Sequence, residues 1–110
     1  MAAWNPQGSS LEVRFRTRRL EQCYLEIRLA NREFGAEVAR RYIQRVQIVK
    51  STRSVDELRR LPGLRFHALS GSREGQYAIN LNGFYRLIVT LEGAELQIVR
   101  IEEVSKHYGD

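Results

Sequence analysis

The sequence predicts an α+β domain in which a helical hairpin packs on one face of a four- to five-stranded, mainly antiparallel sheet. Three observations lead to this prediction. The chain has 110 residues, the usual size of one domain. Apolar residues recur every three or four positions before Pro62 and alternate with polar residues after it. Hydrophobic residues make up 43% of the chain and charged residues 28%, which is typical of a globular protein.

The first half of the chain is predicted to contain one strand and three helices. They cover residues 11–15, 18–33, 36–50 and 55–61. Thr17 is the expected N-cap of the first helix, and Glu57 three residues after Ser54 is a capping-box pattern for the last. Residues 1–10 show no periodicity and are expected to be a flexible lead-in, so we take 11–110 as the domain.

The second half is predicted to be an antiparallel meander of four strands. They cover residues 64–69, 76–81, 84–91 and 95–101. Asn82-Gly83 lies between two alternating runs and predicts a hairpin closed by a type I′ turn, in which both central residues have positive φ.

The charge distribution suggests an acidic partner. The formal net charge is +5, and residues 1–60 carry 13 Lys and Arg against 7 Asp and Glu. All 18 basic residues except Lys50 and Lys106 are arginine, whose planar fork suits phosphate. We expect the outer side of the second helix to contact RNA through three arginines. These are Arg40, Arg41 and Arg45.

Several functional classes are excluded at this stage. A single cysteine, Cys23, allows no internal disulfide, and no Cys and His pair has zinc-ligand spacing. The chain lacks an apolar run of the roughly 20 residues needed to cross a bilayer. We therefore expect a cytoplasmic protein with no membrane association, no metal and no cofactor.

Strand alternation gathers basic side chains on the sheet face opposite the helices. Arg65, His67 and Arg86 are predicted to project from this face. We also expect apolar residues there, namely Ile88, Val99 and Ile101. The segment 104–110 is expected to cover the face and to bring Lys106, His107 and Tyr108 beside His67. Such a set suits metal-free RNA cleavage, in which a base deprotonates the 2′-hydroxyl and cations stabilise the phosphate.

Two segments resemble a known family. The run 64–77, LRFHALSGSREGQY, and the ending VSKHY are similar to the HigB branch of the RelE/ParE superfamily of toxin-antitoxin toxins. The resemblance implies a ribosome-dependent mRNA endoribonuclease that is silenced by a HigA-like antitoxin in a toxin-antitoxin hetero-oligomer. Its partners would then be this antitoxin, the ribosome and mRNA.

The resemblance also implies roles for individual residues. His67 matches the strand histidine that acts as base or orients the phosphate, Arg73 matches the loop arginine, and Arg86 matches the arginine that holds the scissile phosphate. The family's closing tyrosine-histidine pair falls on His107 and Tyr108 in reversed order, so the choice of acid between them stays open.

One position departs from the family pattern. Ser70 stands where HigB members commonly have a catalytic lysine, and Arg73 or Lys106 is the alternative source of that positive charge. Two other functions remain open. One is a ParE-like toxin that binds gyrase, against which the histidine pair argues. The other is a catalytically decayed relative that only binds RNA or protein, and the absence of this lysine favours it.

Overall fold

The computed structural model describes residues 10–106, in which the elements follow in the predicted order of strand, helices and sheet. The strands are β1 (Glu12–Phe15), β2 (His67–Ala68), β3 (Tyr77–Asn80), β4 (Tyr85–Glu92) and β5 (Ile98–Lys106). The helices are α1 (Arg18–Leu25), α2 (Ile27–Phe34), α3 (Ala36–Ser51) and α4 (Val55–Arg60). Apart from Ser10, the expected lead-in lies outside the described residues.

The sheet has five strands in the order β1-β5-β4-β3-β2. Strand β1 pairs in parallel with β5, and the other neighbours are antiparallel. The parallel pair is possible because all four helices lie in the chain between β1 and the rest of the sheet. The predicted α+β class with a mainly antiparallel sheet is confirmed.

The prediction of one continuous helix over 18–33 is wrong. Thr17 caps α1 as expected, accepting a hydrogen bond from the Leu20 amide at 3.1 Å. Glu26 then adopts an extended conformation, with φ −131° and ψ 109°, and separates α1 from α2. Both helices pack on α3, but α1 also contacts β1, where Tyr24 stacks on Phe15 at 5.8 Å.

The core lies between the helices and one face of the sheet. Its largest fully buried members include Tyr42, Leu58, Ile79, Leu87 and Ile101. The Tyr42 hydroxyl donates to the Leu20 carbonyl oxygen at 2.7 Å, so the buried phenol is satisfied. Burial raises the pKa of Tyr42 above its ordinary range. Within residues 10–106, no helix is long and apolar enough to span a membrane.

A β-bulge in β5 decides which side chains face the helices. Ile88 of β4 pairs with Glu103 and Val89 pairs with Ile101, so Glu102 is the extra residue. The bulge lets Ile101 and Val104 both face the helices although they are three residues apart. The expectation that Val99 and Ile101 lie on the opposite face is therefore wrong, because both belong to the helix-side core.

The β3–β4 hairpin is confirmed, but the predicted type I′ turn is wrong. Neither Asn82 nor Gly83 has a positive φ. Instead the Asn82 Oδ1 accepts hydrogen bonds from the amides of Phe84 and Tyr85, each at 2.8 Å. The asparagine side chain takes over the turn-closing role, so left-handed backbone is not needed.

Candidate active site

A cleft of about 400 Å³ opens on the sheet face opposite the helices, beside β2, β3 and the start of β4. Seven of the residues that line it have polar side chains. They are Arg65, His67, Ser70, Asn80, Asn82, Tyr85 and Arg86. The sequence-predicted residues Arg65, His67, Ser70 and Arg86 are thus brought together.

Strand register explains why His67 and Arg86 meet there. His67 pairs with Ala78, which pairs with Ile88, and Arg86 lies two residues before Ile88 on the same face. Two strand spacings, about 10 Å, separate the strands that carry these residues. A phosphate group and the long arginine side chain can fill such a gap, so both residues can contact one substrate.

The imidazole of His67 is oriented by the backbone. Its Nδ1 lies 2.6 Å from the carbonyl oxygen of Arg65, and the side chain is exposed. Arg65 itself has φ +51°, in the left-handed region that L-residues rarely adopt. The Nε2 atom is the ring nitrogen that does not take part in this contact.

Arg73 is not among the residues that line the cleft. Its Nη1 donates to Gln76 Oε1 at 2.8 Å and to Glu103 Oε2 at 3.1 Å, and its Nη2 lies 3.5 Å from Ser105 Oγ. Glu103 and Ser105 lie on the same sheet face as Arg86, because they pair with Ile88 and Arg86. Arg73 therefore lies near the cleft, but an ion pair holds its guanidinium at β5.

The described part of the predicted covering segment is a strand and does not cover the sheet face. Residues 104–106 continue β5. Lys106 pairs with Tyr85, which packs against the helix-side core. Ser105, the residue before Lys106, pairs with Arg86 on the opposite face. Since side chains alternate along a strand, Lys106 lies on the helix side of the sheet. The prediction that Lys106 lies beside His67 is wrong for this reason. His107 and Tyr108 lie outside the described residues.

The expectation that Arg40, Arg41 and Arg45 all lie on the exposed side of the second helix is wrong for Arg45. Arg40 is exposed, but Arg45 is 7% exposed and its Nε donates to the Asn80 carbonyl oxygen at 2.9 Å. Arg41 is half-buried and donates to the Leu81 carbonyl oxygen at 3.2 Å. Burial, and then the nearby charge of Arg41, lower the pKa of Arg45.

These two arginines have a structural use instead. Asn80 is the last residue of β3, and Leu81 follows it. Their carbonyl oxygens accept hydrogen bonds from Arg45 and Arg41, and these bonds connect the end of β3 to helix α3.

Sequence reasoning missed Asn82 and Glu103. Asn82 lines the cleft while its side chain closes the hairpin turn, and the Asn-Gly pattern was its only signal. Glu103 faces the same side as Arg86 only because the bulge at Glu102 shifts the alternation. No simple sequence pattern marks such a bulge.

The cleft can bind and polarise a phosphodiester. Two guanidinium groups, Arg65 and Arg86, and the imidazole of His67 converge on it. Arginine contacts phosphate through two parallel hydrogen bonds, and histidine exchanges protons near neutral pH.

Comparison with known proteins places this chain in a family. The family model described as the RelE-like toxin of type II toxin-antitoxin system HigB matches residues 13–102. The chain belongs to the HigB-like toxins. It is thus a toxin of a type II toxin-antitoxin system with a RelE-like fold. No individually curated protein matches it.

Solved structures share the fold of this HigB-like toxin at low sequence identity. The YoeB/ParE toxin from Agrobacterium tumefaciens is 11% identical with a TM-score of 0.59, over 89% of this chain and 100% of that one. A chain of the YoeB-YefM complex from Staphylococcus aureus is 14% identical with a TM-score of 0.56, over 89% of this chain and 98% of that one. YafQ from E. coli is 14% identical with a TM-score of 0.53, over 91% and 100%.

Proposed function

We propose that this HigB-like toxin is a metal-independent endoribonuclease that cuts mRNA on the ribosome in the cytoplasm. The observation that carries the proposal is the convergence of Arg65, His67 and Arg86 on one cleft. Family membership supports it, because a toxin of this kind needs a cellular target and its basic surface suits RNA.

The reaction uses the residues of the cleft in distinct roles. Nε2 of His67 takes the proton of the 2′-hydroxyl, and the 2′ oxygen attacks the adjacent phosphorus. Arg86 binds the phosphate oxygens as their negative charge increases. The bond from phosphorus to O5′ breaks while O5′ receives a proton, which leaves a 2′,3′-cyclic phosphate and a 5′-hydroxyl. His107 or Tyr108 is the donor of that proton.

Arg65 compensates for the serine at position 70. Ser70 and Arg65 both line the cleft, so the guanidinium of Arg65 can reach the phosphate that a lysine at position 70 would contact. Arg73 is a weaker candidate, since Glu103 pairs with it. Lys106 faces the other side of the sheet.

The helix layer supplies ribosome contacts. Arg40 remains exposed on α3, and other exposed arginines in the first 60 residues add to the positive field. Contacts of this kind to ribosomal RNA are independent of sequence and weaken with salt. Arg41 and Arg45 support the cleft loop rather than RNA.

A HigA-like antitoxin silences the toxin by forming a hetero-oligomer with it. The family assignment supports such a partner, and the Staphylococcus aureus YoeB was solved in complex with YefM. The high positive charge of the toxin favours an acidic partner segment.

Growth arrest in cells that lack the antitoxin tests the function. We expect induction of the wild type to stop growth and to cut a reporter transcript within its coding sequence. A reporter without a start codon should stay intact, because cleavage requires translation. His67→Ala and Arg86→Ala should each relieve both effects.

Other outcomes identify the alternatives. Arrest that persists in both variants, with DNA damage and intact transcripts, would identify a gyrase poison. A wild type that neither arrests growth nor cuts the reporter would identify a decayed binding relative.

A further inference from the structure

The backbone at Arg65 is strained at the edge of the cleft. Its φ of +51° lies in the left-handed region, which is unfavourable for residues with a Cβ atom and most accessible to Gly, Asn and Asp. Strain of this kind persists only where the surrounding structure enforces it, and it is frequent at functional sites.

Both neighbours of Arg65 are fixed in the core. Leu64 is 2% exposed and Phe66 is 7% exposed, so both flanking side chains are buried while that of Arg65 is exposed. The Asn80 amide donates to the Leu64 carbonyl oxygen at 2.7 Å, and the ring of Phe66 stacks on Tyr77 at 5.2 Å. These contacts hold the left-handed turn at Arg65 in place.

The turn directs the Arg65 carbonyl group at His67. The carbonyl oxygen lies 2.6 Å from His67 Nδ1, and a carbonyl oxygen only accepts hydrogen bonds. Nδ1 must therefore carry the proton. In the neutral ring Nε2 then has a free lone pair, whereas neutral histidine in water favours the opposite tautomer, with the proton on Nε2.

We infer that Arg65 is a positioning residue whose left-handed backbone fixes His67 in the Nδ1–H tautomer, leaving Nε2 to accept a proton in the cleft. Use of Nε2 as the base rests on the proposed function, but the tautomer is a property of the free toxin. Protonation of Nε2 leaves the bond from Nδ1 to Arg65 intact, so the ring keeps its orientation as the proton comes and goes.

Histidine ¹⁵N resonances of the free toxin test the inference. The chain has two histidines, so the spectrum of a His107→Gln variant contains only His67. At a pH where the ring is neutral, we expect the shift of an unprotonated Nε2 and a protonated Nδ1. A wild-type ring protonated on Nε2 would overturn the inference.

Two substitutions at position 65 distinguish the role of its backbone conformation from the role of its guanidinium group. Arg65→Asn and Arg65→Val both remove the guanidinium, but only asparagine tolerates the left-handed conformation. We expect Arg65→Asn to keep the Nδ1–H tautomer and to cleave at least about tenfold faster than Arg65→Val, because a base in the wrong tautomer is inactive. Equal rates with the same tautomer in both variants would contradict the inference. If Arg65→Val does not fold, the wild-type spectrum decides.

The same measurements distinguish failure of the proposed function from failure of this inference. Absence of cleavage by the wild type with the Nδ1–H tautomer present would remove the nuclease and keep the positioning role of Arg65. Cleavage by a wild type whose His67 carries its proton on Nε2 would keep the nuclease and remove the positioning role of Arg65.

Discussion

Arg86 lies on the central strand β4, where it pairs with Asn80 of β3 and with Ser105 of β5. A rigid strand position suits a residue that must meet charge as it develops on phosphate. We predict that Arg86→Ala lowers single-turnover cleavage at saturating ribosome about a hundredfold, or roughly 3 kcal/mol. Arg14→Ala, which removes an exposed arginine of edge strand β1, is the control and should change the rate little. Equal losses in both variants would assign the effect to net charge.

Ser70 gives a second test at the scale of one side chain. It lines the cleft, whereas Ser72 in the same loop does not. We predict that Ser70→Lys keeps or raises kcat/KM for ribosome-dependent cleavage, because the added ammonium group faces the same phosphate. Ser72→Lys adds the same charge outside the cleft and should have less effect. A Ser70→Lys variant that loses most of its activity would show that RNA follows another path.

Two arginines of helix α3 donate hydrogen bonds to carbonyl groups at the end of β3. Removing the buried Arg45 leaves the Asn80 carbonyl group without this donor. We predict that Arg45→Met lowers the free energy of unfolding by about 2 kcal/mol, the usual range for a hydrogen bond from a charged group. Arg40→Met, on the exposed side of the same helix, should change it by less than about 0.5 kcal/mol. Urea denaturation measures both, and similar values would argue against the supporting role of Arg45.

The elements themselves could be predicted from the sequence, but their junctions could not. Helical spacing and alternation located the helical and strand regions in the right order, although one predicted helix is in fact two, because burial on one face imposes these periods. The break at Glu26 separates α1, which also contacts β1, from α2, and the bulge at Glu102 depends on pairing with β4. Both are decided by contacts between distant residues, which periodicity along the chain does not contain.

At the scale of the whole molecule, the site was partly predictable for the same reason. Alternation placed His67 and Arg86 on one face correctly, since their strands are regular. The exposed placement of Arg45 failed because a long polar side chain on the apolar side of a helix can be buried once a carbonyl group accepts its hydrogen bond. That acceptor lies 35 residues away.

The folded domain should lose stability at alkaline pH. Burial, and then the charge of Glu33, raise the pKa of the Cys23 thiol above its ordinary value of 9.0, and burial raises that of Tyr42. Above about pH 9 for the thiol, and about pH 10 for the phenol, the unfolded chain releases its proton before the folded chain does. The free energy of unfolding should therefore fall with rising pH, by up to about 1.4 kcal/mol per pH unit for each group.

Two variants test whether Cys23 and Tyr42 cause the loss of stability at alkaline pH. Tyr42→Phe and Cys23→Ala should each flatten the alkaline decline measured by urea denaturation, although each also lowers stability at neutral pH. An unchanged slope in both variants would show that other groups control it.

The chemistry of the cut ends tests the central claim most directly. Purified toxin is added to ribosomes stalled on a defined mRNA and, separately, to the same mRNA alone, and the termini are identified by mass spectrometry. We predict cleavage only with ribosomes, with a 2′,3′-cyclic phosphate on one fragment and a 5′-hydroxyl on the other, and loss of both products with His67→Ala. Fragments that carry 5′-phosphates, or equal cutting of mRNA without ribosomes, would contradict the mechanism assigned to this cleft.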